Sequence, residues 1–266
     1  MKLINFDAKH SGVTITNDMQ AAAKRANDLL HTGEGAGNDF LGWVNLPSSI
    51  SDEHLREIKA VAAKLRERAE VVICIGIGGT VYLSLDNKVL GSLFFTIGLL
   101  TICSHGLHLY TSKVCYIFDY DSKYKLQVPM IWTGNLIGTG LVAFLVRMTR
   151  LAEKLVPAAE KLCSTKLADE YISLFILGML CNVMIYIAVD GYNKIEMEIG
   201  KYSSLCLGVM VFIICGFEHS IADMFYFWVK GGYTVEVIVR LLVITVGNAV
   251  GGIMFHNAKK YMASLK

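Results

Sequence analysis

The sequence has little net charge and lacks three patterns that would place it in common functional classes. Its formal net charge is +2 over 266 residues, and no basic block is interleaved with aromatic residues, which argues against a nucleic-acid-binding surface. The seven cysteines show no CxxC spacing and lie mostly in apolar runs, so they predict neither a disulfide framework nor a metal site. No basic stretch followed by an apolar core opens the chain, so a cleavable signal is not expected and residues 1–70 should stay on the side where they are made.

The charged residues that are present are distributed unevenly. Residues 1–70 carry 19 charged side chains, whereas residues 71–266 carry 29, mostly clustered between long apolar runs. In the first part, apolar residues recur at spacings of three and four at 20–30 and 51–69, which is typical of amphipathic surface helices. We therefore predict two domains: a small, soluble, mainly helical segment at 1–70 and a membrane domain at 71–266.

The second part contains apolar runs long enough to cross a bilayer, which takes about 20 residues. We predict spans at 89–112, 128–149, 171–189, 203–229 and 234–256, preceded by a shorter apolar run at 71–85. Lysine and arginine counts are nearly equal on the two sides of these spans, so the positive-inside rule does not decide their orientation.

An internal repeat gives more information. The stretch TGNLIG at 133–138 recurs as VGNAVG at 246–251, and upstream of each copy lies an apolar run interrupted by polar residues and a glycine, Gly106 or Gly216. Three spans per copy would place the copies in opposite orientations, and the short run at 71–85 would supply the first span of the first copy. Inverted repeats with paired interrupted helices indicate a transport site at the middle of the membrane.

The interrupted runs hold the ionisable candidates. A histidine at bilayer depth, here His219 beside Glu218, usually faces a cavity or a proton path, although a neutral core histidine bonded to another helix is equally common. Asp223 follows one turn later. Thr111 stands at the corresponding break, where hydroxyls and freed amides could donate to an anion. Lys166 could attract anions at the mouth, although a lone lysine in a charged segment is more often a solvated one.

Several of these stretches match motifs of one family. GFEHSIADMF at 216–225, LYTS at 109–112, GMLCN at 178–182 and the twin GN motifs resemble signatures of the formate/nitrite transporter family, over about residues 76–266. Lys166 lies sixteen residues before Asn182, as the conserved mouth lysine of that family does. Asp223 departs from the family's asparagine, and Lys113 from its Asn or Thr. Asp223 could hold His219 protonated.

The resemblance implies an all-α, aquaporin-like six-helix bundle of two inverted three-helix repeats, with broken second and fifth helices. It implies a homopentameric channel for formate, nitrite or hydrosulfide, with one pore per protomer. The channel would lie in the bacterial cytoplasmic membrane with both termini cytoplasmic. It would need no cofactor or metal and would have no enzymatic turnover. An anion attracted by Lys166 would take up a proton near His219 and pass apolar rings as the neutral acid. The implied pore and proton-relay residues are His219, Thr111, Glu218, Asp223 and Asn182; the cytoplasmic constriction is Phe95, Leu99 and Phe212; the outer one is Leu109, Tyr110 and Ile185; and the helix contacts are Gly134, Asn135, Gly247 and Asn248.

The start of the chain resembles a different family. GAGNDFLGWVNLP at 35–47 and VVICIGIGG at 71–79 resemble the first part of bacterial glucose-6-phosphate isomerase, whose glycine turn opens a sugar-isomerase fold. The alternative interpretation is therefore an isomerase fragment in a chimeric or mis-assembled chain, inactive because the catalytic part is missing. The two patterns coincide at 75–80. An apolar run of 15 residues reaches only about 22 Å as a helix, short of the hydrocarbon core of about 30 Å. We therefore predict a truncated first helix and no phosphate there.

Overall fold

The computed structural model describes residues 16–32 and 72–265. The chain divides into two compact units, residues 1–62 and 63–266. In the first unit the described residues form one helix, α1 (Asn17–Thr32), which confirms the helix predicted at 20–30. The helix predicted at 51–69 and the domain boundary predicted at residue 70 lie outside the described residues.

The described part of the second unit is helical and contains no strand. Five of its helices are long and apolar enough to cross a membrane, which confirms the number of long spans predicted. The helices are α2 (Val72–Ser84), α3 (Lys88–His105), α4 (Tyr110–Lys113), α5 (Ser122–Arg147), α6 (Ala152–Ala168), α7 (Tyr171–Lys194), α8 (Glu198–Cys215), α9 (Ser220–Lys230) and α10 (Val235–Ser264), with a 3₁₀ turn at Val114–Tyr116.

Side-chain caps set several helix starts. The Asn87 carboxamide oxygen accepts from the amides of Val89 and Leu90 at 3.0 Å, and the Asp121 carboxylate accepts from Tyr124 N at 3.0 Å. Such caps satisfy amide groups that have no partner within the first turn of a helix. They explain why α3 and α5 begin directly after short polar loops.

The two spans predicted to be interrupted are broken in the same way. Gly106 and Gly216 end α3 and α8 with φ angles of 68° and 73°, a left-handed conformation that glycine adopts without a steric penalty. The next amide then bonds back to the helix, from Leu107 N to Ile102 O and from Phe217 N to Phe212 O, each at 2.9 Å. The chain resumes helical structure after three further residues, in α4 and α9.

An asparagine from each GN motif closes each break. Asn135 accepts from Tyr110 N at 3.0 Å and donates to His108 O at 3.3 Å. Asn248 accepts from Ser220 N at 3.0 Å and donates to Glu218 O and Gly178 O, both at 2.8 Å. Each carboxamide therefore replaces the hydrogen-bond partners that the backbone loses where the helix stops.

The two halves run in opposite directions. α2 packs against α3 and α5, while α7 packs against α8 and α10. Lys88, the first residue of α3, donates to Ile214 O in the last turn of α8 at 3.1 Å, so the two broken helices are antiparallel. This arrangement is the one expected of inverted repeats.

Ion pairs mark the two ends of the bundle. At the end where α3 and α7 begin, here called the Lys166 end, Lys154 pairs with Asp86 at 3.4 Å. At the opposite end, Asp119 accepts from His256 at 2.6 Å and from Lys260 at 2.8 Å. Hydrogen bonds from Lys260 and His256 hold the pKa of the Asp119 carboxyl below its ordinary value. Charged groups thus lie at both ends of the helices, with apolar segments between them.

The glycine-rich stretch at 75–80 is helical. A Cβ at Gly78 would lie 2.9 Å from Phe95 O, and one at Gly98 would lie 2.8 Å from Cys74 O. These glycines let α2 and α3 approach closely, so they act in helix packing rather than in a phosphate-binding turn. The described helix is 13 residues long, or about 20 Å; the residues before Val72, where the truncation was predicted, lie outside the described residues.

We expect Asn248→Ala to destabilise the protein more than Asn135→Ala. Loss of the Asn248 carboxamide removes three hydrogen bonds inside the bundle, against two for Asn135. A buried polar group left unpaired costs about 1–3 kcal/mol, so the apparent Tm in detergent should fall by roughly 5 °C or more for Asn248→Ala. Asn193→Ala at an exposed position is the matched control, and equal Tm values for all three variants would contradict the closing role of these side chains.

Candidate functional site

The two helix breaks bring a histidine and a threonine together in the interior. His219 is 2% exposed and Thr111 is fully buried, and the Nε2 atom of His219 lies 3.1 Å from the Thr111 hydroxyl oxygen. The other ring nitrogen, Nδ1, accepts from Ala222 N at 3.1 Å and thereby caps α9. Because Nδ1 accepts from an amide, it carries no hydrogen, and the ring proton lies on Nε2.

A buried charged cluster lies beside this pair. The Lys166 ammonium pairs with Glu218 Oε2 and with Asp223 Oδ1, the latter at 2.9 Å. All three side chains are buried, and Asp223 Oδ2 has no hydrogen-bond partner among the described residues. Two carboxyl groups facing one ammonium give a net charge of −1 if both are ionised, and zero if they share one proton. A buried net charge is costly, which favours the neutral form with one proton held.

Two expectations about this cluster are corrected by its geometry. Lys166 is not a solvated lysine, because α6 places it 7% exposed against the break of the second repeat. Asp223 does not hold His219 protonated: Asp223 pairs with Lys166, while both ring nitrogens of His219 have other partners. The sequence distance between Lys166 and the carboxyls gave no sign of this pairing.

Arg240 was missed by sequence reasoning. It is 8% exposed, its Nη1 atom donates to Lys166 O at 3.2 Å and also to Asp169 O, and its guanidinium lies 4.9 Å from the centre of the Tyr171 ring. Arg240 therefore fixes the end of α6 that presents Lys166. An arginine inside the apolar run VIVRLLV was the signal that could have identified it.

A cavity of about 280 Å³ leads to the cluster. It opens at the Lys166 end, where the start of α3 and the loop after α8 meet. Cys163 of α6 and Cys181 of α7 are fully buried. The titratable groups that line the cavity are Tyr82 of α2, Lys88 of α3, Lys166 of α6, Glu218 and His219 before α9, and Asp223 and Tyr226 of α9.

Apolar rings flank His219, and the structure corrects their positions relative to Lys166. The Phe212 ring lines the Lys166 cavity, stacks on His219 at 5.5 Å and meets Phe95 edge-on at 6.2 Å. Phe95 and Phe212 thus lie on the same side as Lys166, and buried Leu99 lies one turn further along α3. The predicted cytoplasmic constriction, Phe95, Leu99 and Phe212, was expected at the opposite end of the pore from Lys166. That prediction is wrong, because α3 begins at the Lys166 end.

The second apolar group lies further from that end. Leu109, Tyr110 and Ile185 are buried and belong to the same apolar core. Leu109 follows α3 at its far end, and Ile185 lies about 21 Å along α7 from Tyr171. Leu109, Tyr110 and Ile185, predicted as the outer constriction, are therefore the apolar group further from Lys166.

The remaining predicted residues support the helices around the site. Asn182 donates to Asn248 O at 2.7 Å, and its buried Oδ1 atom has no hydrogen-bond partner in the described part of the chain. A Cβ at Gly247 would clash with Phe175 O, as expected of a close helix contact. A Cβ at Gly134 would meet no atom of the described residues within 4 Å, so its predicted helix contact stays a prediction.

The membrane domain matches a known family over most of its length. The formate/nitrite transporter profile matches residues 69–262. Among solved structures, a pentameric formate channel with formate bound is 25% identical, with a TM-score of 0.66, covering 78% of this chain and 99% of that chain. An ion channel of the FNT family has a TM-score of 0.65 at 23% identity, covering 79% of this chain and 92% of that chain, which supports the fold.

The N-terminal segment matches glucose-6-phosphate isomerases. The enzyme of Parabacteroides distasonis is 54% identical over 84 residues, which are 30% of this chain and 19% of that protein. The enzyme of Mesoplasma florum is 36% identical over 78 residues, 29% of this chain and 18% of that protein. The chain thus spans under a fifth of the length of these curated relatives.

The long apolar helices, the paired breaks and the family match over residues 69–262 describe one multi-pass membrane domain. The isomerase match covers only a small fragment. The chain therefore belongs to the formate/nitrite transporter family, and its main region is a membrane anion channel rather than an enzyme.

Proposed function

We propose that this protein conducts small monovalent anions of the formate class, with nitrite and hydrosulfide as further substrates, and passes them as neutral acids. The observation that carries the proposal is the Lys166–Glu218–Asp223 cluster, which lines the same cavity as His219, the partner of Thr111. It is supported by the similarity to a pentameric formate channel with formate bound. A bare anion would have a large desolvation penalty at the apolar rings, and protonation removes most of it.

The proton comes from the carboxyl pair in this account. Glu218 and Asp223 share one proton, and an anion in the cavity takes it from the carboxyl O–H, leaving a carboxylate that Lys166 stabilises. A proton from the entry-side solution, relayed through cavity water, returns to the pair, while the neutral acid moves on and ionises at the other end. Each cycle therefore moves one anion and one proton in the same direction.

His219 serves as a neutral hydrogen-bonding station. Its proton on Nε2 faces Thr111, and a second proton on Nδ1 would face the Ala222 amide and break the cap of α9. Loss of a helix cap costs about 0.5–2 kcal/mol. The ring thus donates to the passing acid or to Thr111 rather than storing charge.

We further propose the assembly and its setting. The membrane domain forms a homopentamer with one pore per protomer in a bacterial cytoplasmic membrane, with both termini cytoplasmic and the Lys166 end outward. The many exposed apolar side chains on its long helices suit contact with lipid and with neighbouring protomers. Residues 1–70 form a soluble, isomerase-like segment without isomerase activity.

Replacement of the buried histidine should reduce conduction. His219→Phe removes the hydrogen bond to Thr111 and the polar station between the rings, and we expect formate flux into proteoliposomes to fall by about tenfold, on the basis of 1–1.5 kcal/mol for one hydrogen bond. His105→Phe, the same change at an exposed position, is the control. Unchanged, pH-independent flux in His219→Phe would rule out a role for the ring.

Replacement of Asp223, which stands where the family has asparagine, should change the pH dependence of formate flux. Asp223→Asn keeps the size of the side chain but removes the shared proton, because Lys166 then faces a single carboxylate. We expect formate flux at about pH 7.5 to fall tenfold or more, as for loss of a general acid, and to approach the wild-type value at about pH 5, where solution supplies the neutral acid. Asp86→Asn at the same end is the control; a constant ratio of variant to wild type at all pH values would contradict the proton-storing pair.

A further inference from the structure

Among the described residues that line the cavity at the Lys166 end, one cation lies outside the charged cluster. Of the four charged side chains that line it, Lys166, Glu218 and Asp223 are bound to one another. Their sum is zero or negative, so this cluster exerts no net attraction on an approaching anion. The fourth is Lys88.

Lys88 has no acidic partner among the described residues. Its ammonium donates to the Ile214 carbonyl at 3.1 Å, and no carboxylate of the described residues lies within ion-pair distance of it. The nearest acid in sequence, Asp86, pairs with Lys154 at 3.4 Å. Lys88 is exposed and lies at the rim of the cavity, where its field reaches both the solvent and the interior.

The place of Lys88 is set by the fold. Asn87 caps α3 and fixes the position of its first residue, while Ile214 O lies in the last turn of α8, where the helix dipole favours a cation. The two antiparallel broken helices thus hold one ammonium group at the entrance. A cleft with uncompensated charge of one sign raises the local concentration of the opposite ion.

We propose that Lys88 is the anion-capture residue of this channel, and that it binds a small monovalent anion at the cavity rim before the anion reaches the Lys166 cluster. Lys166 then acts on an anion that Lys88 has already delivered. This inference rests on the proposed conduction of formate-class anions.

The test compares formate flux in proteoliposomes for wild type, Lys88→Gln, Lys88→Arg and Lys154→Gln. Glutamine keeps an amide donor but has no charge, arginine keeps the charge, and Lys154 is an exposed lysine at the same end that does not line the cavity. At about 10 mM ionic strength, where screening is weak, we expect Lys88→Gln to lower flux at subsaturating formate by about three- to tenfold. Lys88→Arg and Lys154→Gln should stay within about twofold of wild type, and the Lys88→Gln deficit should vanish near 1 M salt.

The outcomes separate this inference from the proposed function. Wild-type flux with no effect of Lys88→Gln at low salt overturns the capture role alone. A deficit shared by Lys88→Arg and unchanged by salt shows a structural role for the contact with Ile214 and also overturns it. Absence of formate, nitrite and hydrosulfide flux in the wild type, eluting as a folded oligomer, overturns the proposed function together with this inference.

Discussion

A helix that stops inside a bilayer leaves amide and carbonyl groups with no water to satisfy them. The described helices contain two such breaks, and one asparagine carboxamide from a neighbouring helix closes each of them. The arrangement of Thr111 and His219 depends on these clamps, because both side chains belong to residues at the ends of the breaks. The Asn248 clamp also binds the carbonyl of Glu218 and so fixes the chain that carries the charged cluster.

The electrostatics of the interior follow from that placement. The break of α8 and α9 presents Glu218 and Asp223 to Lys166, which Arg240 holds through the end of α6. A cluster with one ammonium and two carboxyls approaches neutrality by holding a proton, so it is suited to proton exchange more than to long-range attraction. In the proposed mechanism, anion capture by Lys88 and proton transfer at the buried cluster take place at two successive positions in the same cavity.

Much of the architecture could be predicted from the sequence. The five long spans follow from apolar run length, and the breaks at Gly106 and Gly216 follow from glycine and polar residues within those runs. The twin GN motifs marked Asn135 and Asn248 as residues of helix contacts, and the repeat indicated inverted halves. These features depend on local composition or on internal symmetry, both of which are visible in one sequence.

The remaining features depend on contacts between distant residues. The ion pairs of Lys166 join positions 52 and 57 residues apart, and nothing local to Asp223 indicates that it faces a lysine rather than His219. The prediction that Phe95 and Phe212 lie on the opposite side of the membrane from Lys166 was wrong. An inverted repeat does not show which end of each helix lies at the mouth of the pore. Gly134 belongs to the same motif as Gly247, yet a Cβ at Gly134 would meet no atom of the described residues within 4 Å.

The central claim is that one proton accompanies each anion through the pore. It is tested most directly in proteoliposomes that contain a pH-sensitive dye, under an inward formate gradient at zero membrane potential, with formate uptake and internal acidification recorded together. The account predicts acidification that matches formate entry one to one, and no formate current when a voltage is applied. Formate entry that carries current and leaves the internal pH unchanged would contradict it.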